Sequence, residues 1–470
     1  MRRPNILLLM ADQLRSDWLG CHGNPSVRTP NIDGIAGKGV SFSRAVCNST
    51  VCAPSRASLA SGLYPHRTGV MTNQENYPHD LPTYYQLLRR EGYRVGMVGK
   101  TDLHKPVHYY GEAGDIPFLY HLGFTDPHET EGKINAAQFS RYEFDRRAVE
   151  KTPVGPYQRY LEERGCLDRF VEDYRYRADK APVWYASESV LDFPDYHDSY
   201  IGDRACDFLT RVSADFPWHY FVSFVGPHDP WDAPESALLP YRETRFPEAV
   251  LDTMESKPGW VRARQKKQSG GSDDGKVREV RRQYSGMVSL IDYWIGQMLD
   301  ILERRGLLDN TVVIITSDHG EMLGDHGLYL KNVMYEAALR VPLMVWDPRQ
   351  APSGKKNRAL VELVDLFPTI LDFASVGYDS SRIDGKSLLP LLREGEGEHR
   401  KVQYCELSNT RMVFDGRYKY IENKNDRDEL YDLEHDPFEL VNTIEENEEA
   451  AGQVYQKMLV RNVTDILGGL

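Results

Sequence analysis

The sequence predicts an α/β fold in which a large central mixed, mostly parallel sheet is flanked by helices and followed by a smaller C-terminal antiparallel sheet domain. Two patterns lead to this prediction. Short, continuous apolar segments end in polar residues and alternate with helical patterns, as buried parallel strands do. Near residue 395 the pattern changes to short strand-like segments separated by turns, which is typical of an antiparallel sheet.

The elements of the central sheet can be placed along the chain. Apolar runs predict strands at 5–10, 94–98, 218–225, 311–316 and 341–345. Helical periodicity predicts helices at 31–38, 83–91, 199–212, 280–305 and 360–374. The polar, glycine-bearing stretch 255–278 predicts a mobile loop. Residues 105–195 are rich in Tyr, His, Pro and charge without sustained periodicity, and they predict a functional insertion over the sheet edge.

A chain of 470 residues is long enough for more than one domain. Short strands are predicted at 402–406, 411–414 and 418–422, followed by a terminal helix. We therefore divide the chain into a large α/β domain, residues 1–394, and a small α+β domain, residues 395–470.

Composition excludes several classes of protein. The net charge of −13 argues against nucleic acid as the main partner, although local cations can still bind a small anionic substrate. Six scattered cysteines without paired spacing argue against a disulfide framework or a zinc cluster.

No run approaches the roughly 20 apolar residues of a membrane span, so no membrane partner is expected. The apolar run at 6–10 is too short for a signal peptide, so we expect a cytoplasmic chain, or a periplasmic or secreted one if a leader was removed. Oligomeric state is not predicted.

The segment around Cys52 has the features of an anion-binding helix start. Pro54 can open a helix, which places Cys52 at a helix N-terminus, where free N–H groups favour anions. Arg56, one turn on, adds a cation. By itself, Cys52 can equally be a buried small hydrophobe or an ordinary thiol nucleophile.

Two acidic pairs follow strands of the predicted sheet. Asp12-Gln13 follows the first strand, and Asp318-His319 follows the strand at 311–316. Either pair alone could cap a strand or begin a turn. Ligands bind at the carboxyl edge of open α/β sheets. Carboxylates, an amide and an imidazole that meet at that edge, beside Cys52, predict a divalent cation site able to polarise a substrate oxygen.

Cys52-Ala53-Pro54-Ser55-Arg56, with Gly62 six residues after the arginine, resembles the motif of the type I, formylglycine-dependent sulfatases of the alkaline-phosphatase superfamily. The resemblance runs from the first strand to the Asp-Pro turn at 436–437. It implies that a formylglycine-generating maturation enzyme oxidises Cys52 to an aldehyde, whose hydrate is the nucleophile. One hydroxyl attacks sulfur and the alcohol leaves, and the other then expels sulfate.

The resemblance also implies a ligand set and further catalytic residues. One divalent metal would be held by Asp12, Gln13, residue 52, Asp318 and His319. The Gln and His resemble the choline-sulfatase and phosphonate monoester hydrolase branches, because many sulfatases have Asp-Asp and Asp-Asn there. Calcium is the first choice, and the imidazole makes manganese the alternative. The remaining catalytic positions that match the family are Lys100 and Lys331, which grip the sulfate, His228, the acid for the leaving oxygen, and Arg56 beside residue 52.

Two further residues are candidates for substrate binding. His104 stands two residues beyond the usual position, which Asp102 occupies. Asn73 resembles a substrate-facing asparagine of the phosphonate hydrolases, and a turn or cap role fits it equally.

The sequence therefore predicts a sulfuric-ester hydrolase that releases sulfate and an alcohol from a small anionic ester, with a sulfated carbohydrate as the expected substrate. A phosphonate monoester or phosphodiester hydrolase on the same scaffold is one alternative. An inactive binding protein with unmodified Cys52 is the other.

Overall fold

The structure is a computed structural model that describes residues 3–105, 110–138, 141–142, 152–350, 354–394 and 397–468; for residues 141, 142, 152 and 461–468 it describes the backbone alone. Parts of the predicted insertion, 106–109, 139–140 and 143–151, lie outside the described residues. So does the start of the predicted C-terminal domain, 395–396.

The strands, in chain order, are β1 Asn5–Asp12, β2 Val40–Phe42, β3 Ala45–Val46, β4 Arg94–Gly99, β5 Asp126–Glu129, β6 Arg141–Tyr142, β7 Thr152–Pro153, β8 Trp218–Pro227, β9 Thr311–Ser317, β10 Leu343–Trp346, β11 Lys355–Asn357, β12 Val361–Glu362, β13 Gln403–Leu407, β14 Thr410–Phe414, β15 Tyr418–Asn423 and β16 Glu429–Asp432. The α-helices are α1 Pro30–Lys38, α2 Cys52–Ser61, α3 Pro65–Thr68, α4 Tyr84–Arg90, α5 Pro117–His121, α6 Lys133–Gln138, α7 Pro156–Glu163, α8 Leu167–Asp179, α9 His197–Arg211, α10 Glu235–Leu238, α11 Gly259–Ser269, α12 Asp274–Arg304, α13 Glu336–Leu339, α14 Leu366–Phe373, α15 Leu389–Glu394 and α16 Glu448–Gly468.

The central sheet has eight strands in the order β11-β2-β10-β9-β1-β8-β4-β5. All of them run parallel except β10, which pairs antiparallel with both neighbours. In the middle of the sheet, Leu8 of β1 is in register with Phe221 of β8 and Ile314 of β9. The predicted fold class, with its mixed and mostly parallel sheet, is confirmed.

The central strands β1, β8 and β9 are buried along their whole length, which explains why they are largely apolar. Alternate residues of β1 enter two different cores, because side chains alternate across a strand. Leu8 packs in the core beneath α2, α4 and α14, whereas Leu9 packs in the core beneath α1, α9 and α12. Every residue of β1 is buried.

The C-terminal sheet, β13-β14-β15-β16, is antiparallel throughout, as predicted. One face packs against α16 through Val413, Leu430 and Val454. The other face contributes Met412 and Ile421 to the core of the large domain. Because the two parts share a core, the division at residue 394 stays a prediction.

Two predicted elements differ from the structure. The predicted loop at 255–278 contains α11 and the start of α12, and it was wrong because the cap of α11 is distant in sequence: Asp426 accepts the amide hydrogens of Gly259 and Trp260. The helix predicted at 360–374 begins only at Leu366, because Val361–Glu362 pairs with Ala45–Val46 as a short strand.

The region predicted as an insertion is built into the fold. Its strand β5 forms the edge of the central sheet beside β4. Helices α7 and α8 bury Tyr157, Phe170 and Tyr174. Because much of this buried face is made of tyrosines, a search for periodic aliphatic residues did not detect the two helices. Within the described part of the chain, no helix is both long and apolar enough to span a membrane.

Candidate active site

The carboxyl ends of two neighbouring strands and the start of one helix meet at a single point. Strands β1 and β9 are parallel neighbours, so Asp12 and Asp318 reach the same edge, and α2 begins there with Cys52. One ligand atom from each of Asp12, Cys52, Asp318 and His319 lies within 4.8 Å of all the others, and all four residues are buried. Ligands on opposite sides of a Ca²⁺ ion are about 5 Å apart. This set therefore has the dimensions of one cation site.

Cys52 is the first residue of α2, and its sulfur faces the cluster. Its Sγ lies 3.2 Å from His319 Nε2 and 3.7 Å from Asp12 Oδ1. The residue before it, Val51, has an extended backbone and makes no side-chain cap. Asn73 replaces that cap, because its Oδ1 accepts the Ala53 amide hydrogen at 3.0 Å. Asn73 thus fixes the helix start, and substrate binding by Asn73 stays a prediction.

The two ligand candidates after β9 are held by their own neighbours. His319 Nδ1 lies 2.9 Å from the Gly320 carbonyl, which keeps the proton on Nδ1 and leaves the Nε2 lone pair facing the cluster. Asp318 Oδ1 accepts the amide hydrogens of Gln13 and His319, both at 3.0 Å. Its Oδ2 accepts from Arg56 Nε at 2.8 Å. These contacts orient both side chains.

Gln13 is oriented by two charged neighbours. Its backbone is left-handed, with φ 71°. Its Nε2 donates to Glu321 at 2.6 Å, and its Oε1 accepts from the Lys331 ammonium. A carboxylate cannot donate and an ammonium cannot accept, so this pair fixes which end of the amide is the oxygen.

Buried cations surround the carboxylates. Lys100 Nζ donates to Asp12 Oδ2 at 2.6 Å, and an Arg56 nitrogen lies 3.5 Å from the same oxygen. Burial raises the pKa of Asp12, but the four cationic groups Lys100, His228, Arg56 and Lys331 together outweigh it, and the pKa lies well below the usual range. Burial and Asp12 raise the pKa of the Cys52 thiol, but the surrounding cationic groups, Lys100, Lys331 and His319 among them, together lower it to about 5. The site therefore stabilises an anion at residue 52.

His228 follows β8 at the mouth of the site. Its Nδ1 lies 2.9 Å from an Asp229 carboxylate oxygen, and its Nε2 lies against the Lys331 ammonium. Burial lowers the pKa of His228, but the carboxylates of Asp229 and Asp12 together outweigh burial and raise it to about 10. With this pKa, the His228 imidazole is protonated at neutral pH once the Lys331 ammonium turns from His228 Nε2 toward an anionic ligand.

The structure does not bring His104 into this cluster. Its ring packs on Phe118, with centroids 4.5 Å apart, and none of the described contacts joins it to the ligand candidates. Asp102, two residues before His104, forms ion pairs instead: its carboxylate oxygens lie 3.4 Å from the ammonium groups of Lys100 and Lys105. A role for His104 in substrate binding stays a prediction without a contact to support it.

The sequence model of the family described as sulfatase matches residues 4–376. The chain belongs to the sulfatase family. A second model, N-sulphoglucosamine sulphohydrolase, C-terminal, matches residues 324–465. The predicted membership is confirmed, and the chain is a sulfuric ester hydrolase.

Individual proteins similar to this sulfatase act on different esters. A choline-sulfatase from Rhizobium meliloti is 29% identical over 94% of this chain and 83% of its own length. An N-acetylglucosamine-6-O-sulfatase from Bacteroides thetaiotaomicron is 29% identical over 96% of this chain and 84% of its own length. The crystal structure of a phosphonate monoester hydrolase from Agrobacterium radiobacter shares the fold, with a TM-score of 0.80 and 24% identity over 98% of this chain and 96% of that one.

Three residues of the sulfatase site were missed by sequence reasoning. Glu321, which orients Gln13, follows the Asp-His-Gly segment and could have been found from that adjacency. Asp229 could have been found in the same way, directly after His228. Ser223, whose Oγ accepts from Arg56 Nη1 at 2.8 Å, lies inside β8 and gave no signal.

A cleft of about 590 Å³ adjoins the site, and we call it the entrance cleft. Its wall includes Val51, which precedes Cys52, and Asn332, which follows Lys331. Its other lining residues come from the cap of α2, the start of α11 and the C-terminal hairpins, namely Met71, Thr72, Asn73, Trp260, Leu407, Ser408, Asn409, Thr410, Lys424, Asn425 and Asp426.

Proposed function

We propose that this sulfatase cleaves sulfate monoesters with a formylglycine made from Cys52 and one divalent cation, and that its substrate is a sulfated carbohydrate. The observation that carries the proposal is the convergence of Asp12, Cys52, Asp318 and His319 within 4.8 Å. Once oxidised by a formylglycine-generating enzyme, residue 52 supplies a hydrated aldehyde that displaces the alcohol from sulfur and then releases sulfate.

The residues present fit a divalent cation. Asp12, Asp318 and the Gln13 amide offer oxygens, and His319 offers a nitrogen lone pair whose tautomer is fixed by Gly320. Such a cation supplies Lewis-acid stabilisation of negative charge at the substrate oxygen and at residue 52. Five residues, counting residue 52, can donate to the cation. Once Cys52 is an aldehyde hydrate, four of them donate through oxygen and one through nitrogen, which supports Ca²⁺, with Mn²⁺ as the alternative.

The remaining residues bind the sulfate and protonate the alcohol. Lys100 and Lys331 are buried ammonium groups on either side of the cluster, placed to hold non-bridging sulfate oxygens. When Lys331 turns to the sulfate, His228 Nε2 is free to carry the proton that the departing oxygen takes up. Asp229 keeps that imidazolium charged. The net reaction consumes water and yields the alcohol and hydrogen sulfate.

The entrance cleft supports a polyhydroxylated alcohol. Four asparagines, Ser408 and two threonines offer hydrogen bonds, and the Trp260 indole offers a flat surface of the kind that packs on a sugar ring. Lys424 is exposed at the cleft and forms no ion pair with any described residue, so its charge repels a quaternary ammonium such as choline. A carbohydrate, with or without a further anionic group, fits this lining better than choline does.

Two other functions use the same residues. A phosphonate monoester or phosphodiester hydrolase shares the fold and takes a substrate of similar shape and charge. Two features favour the sulfatase: the Cys-Ala-Pro-Ser-Arg form of the motif, and Lys100 in direct contact with Asp12. A binding protein with an unmodified Cys52 would leave this cation-rich cluster without a reaction.

Coexpression with a formylglycine-generating enzyme tests the proposal. Intact mass should fall by the difference between H₂S and O, and only the converted protein should hydrolyse 4-nitrophenyl sulfate, faster than a phenyl phosphonate monoester. Cys52→Ala should be inactive, whereas Cys206→Ala, which changes a distant cysteine, should retain activity. Preference for the phosphonate would establish the rival hydrolase, and turnover by Cys52→Ala would remove residue 52 from the mechanism. A screen of sulfated sugars, choline sulfate and aryl sulfates would identify the alcohol.

A further inference from the structure

Lys331 lies on a loop whose backbone is left-handed on both sides of it. Leu330 has φ 65° and Asn332 has φ 69°. This region favours glycine, and other residues are kept there only where surrounding contacts determine the backbone. The position of the Lys331 ammonium therefore depends on whatever holds this loop.

Helix α11 holds the loop through two side chains, of which Arg264 makes most of the contacts. Arg264 Nη2 donates to the carbonyl oxygens of Lys331 and, at 3.4 Å, Tyr329, and its Nη1 donates to Asn332 at 3.3 Å. Gln268, one turn further along α11, accepts the Tyr329 amide hydrogen at 3.0 Å. Among the described residues no carboxylate forms an ion pair with Arg264, so its donors serve the loop carbonyls.

The other end of α11 is fixed to the C-terminal sheet. Asp426 accepts the amide hydrogens of Gly259 at 3.1 Å and Trp260 at 2.9 Å, and the Trp260 indole donates to Asn423 at 3.0 Å. The same helix thus contributes Trp260 to the entrance cleft and Arg264 to the Lys331 loop. Helix α11 therefore connects the C-terminal sheet to the loop that carries Lys331.

We propose that Arg264 is a positioning residue for Lys331. The guanidinium donates to three carbonyl oxygens within the four-residue segment 329–332, a geometry that a lysine cannot reproduce. It holds the loop so that the Lys331 ammonium reaches Gln13 Oε1 and His228 Nε2. The inference rests on the proposed function, which places Lys331 on the sulfate.

The test uses matured protein and 4-nitrophenyl sulfate. Arg264→Met keeps the aliphatic stem and removes the donors, and it should lower kcat by about 100-fold with little change in KM, because misplacing a catalytic group by about 1 Å costs that much. Arg264→Lys keeps one ammonium donor and should recover part of the loss. Lys266→Met, at an exposed position on the same helix, should match the wild type.

A double-mutant cycle separates positioning from general destabilisation. In a Lys331→Met background, Arg264→Met should cost less than about twofold, because the group it positions is gone. A full additional loss in that background, or wild-type kcat for Arg264→Met alone, would overturn the inference and leave the proposed function intact. Wild-type turnover by Lys331→Met would instead refute the role that the proposed function gives to Lys331, and the inference with it.

Discussion

Replacing His228 should affect substrates according to how much their alcohol needs a proton. His228 stands at the mouth of the site with Asp229 behind it, and Asp229 helps to raise its pKa to about 10, so it carries a proton at neutral pH once Lys331 has turned to the sulfate. A carbohydrate alkoxide cannot leave without a proton, whereas 4-nitrophenolate can. His228→Gln, which cannot transfer a proton, should therefore lower kcat for a sugar sulfate by about 10²–10⁴-fold, or about 3–5 kcal/mol of barrier. For 4-nitrophenyl sulfate the loss should be small.

The pH dependence gives a second readout of the same group. Since the Asp229 carboxylate raises the pKa of His228, Asp229→Asn should let that pKa fall toward its ordinary range. The alkaline limb of kcat for a sugar sulfate should then move to lower pH, with activity near the wild type in mild acid and lost progressively at higher pH. Stopped assays of sulfate release across pH would measure this. Equal losses for both leaving groups, or an unmoved alkaline limb in Asp229→Asn, would refute His228 as the acid.

The other predictions concern the cation, the cleft and the stability of the fold. Asp318→Ala should lose bound metal and turnover together, because Asp318 orients the amides of the cluster as well as offering a ligand; metal stoichiometry by mass spectrometry that stays at the wild-type value would contradict this. Lys424→Ala should raise KM for a sugar sulfate that carries a second anionic group and leave 4-nitrophenyl sulfate, which has no second anionic group, unaffected, and equal effects on both would remove Lys424 from substrate selection. Arg400→Met should cost about 3–5 kcal/mol in urea unfolding without changing kcat, since it leaves the buried Asp365 carboxylate without its main partner. Burial raises the pKa of Asp365, but Arg400 and His399 together outweigh it, so the Arg400–Asp365 pair stabilises the fold above the unfolded pKa of Asp365, and this stabilisation is lost as the pH falls through the lower folded value. An Arg400→Met protein with wild-type acid stability would argue against that.

The parts that the sequence predicted were those determined by short segments. Burial on both faces made β1 and β9 recognisable as continuous apolar runs. Asp12 and Asp318, at their carboxyl ends, fall at one edge because the strands are parallel neighbours. Pro54 marked the first turn of α2, so the position of Cys52 followed from local chemistry.

The parts that it could not predict depend on contacts between distant segments. Helix α11 is capped by Asp426 from the C-terminal sheet, and nothing near residue 259 indicates this. Asn73 caps α2 from 20 residues away along the chain. The hydrogen bonds from Arg264 to the Lys331 loop could not be predicted either, because their acceptors are backbone carbonyls, which every residue has and no sequence pattern distinguishes.

Anomalous diffraction from crystals of the matured protein, grown with Ca²⁺ or Mn²⁺, would test the arrangement of this site most directly. One metal peak is expected, bonded to Asp12, Gln13, Asp318, His319 and an oxygen of residue 52, with Ca–O distances of about 2.3–2.6 Å. A peak bonded elsewhere, or a residue 52 turned away from the metal, would contradict the proposed reaction.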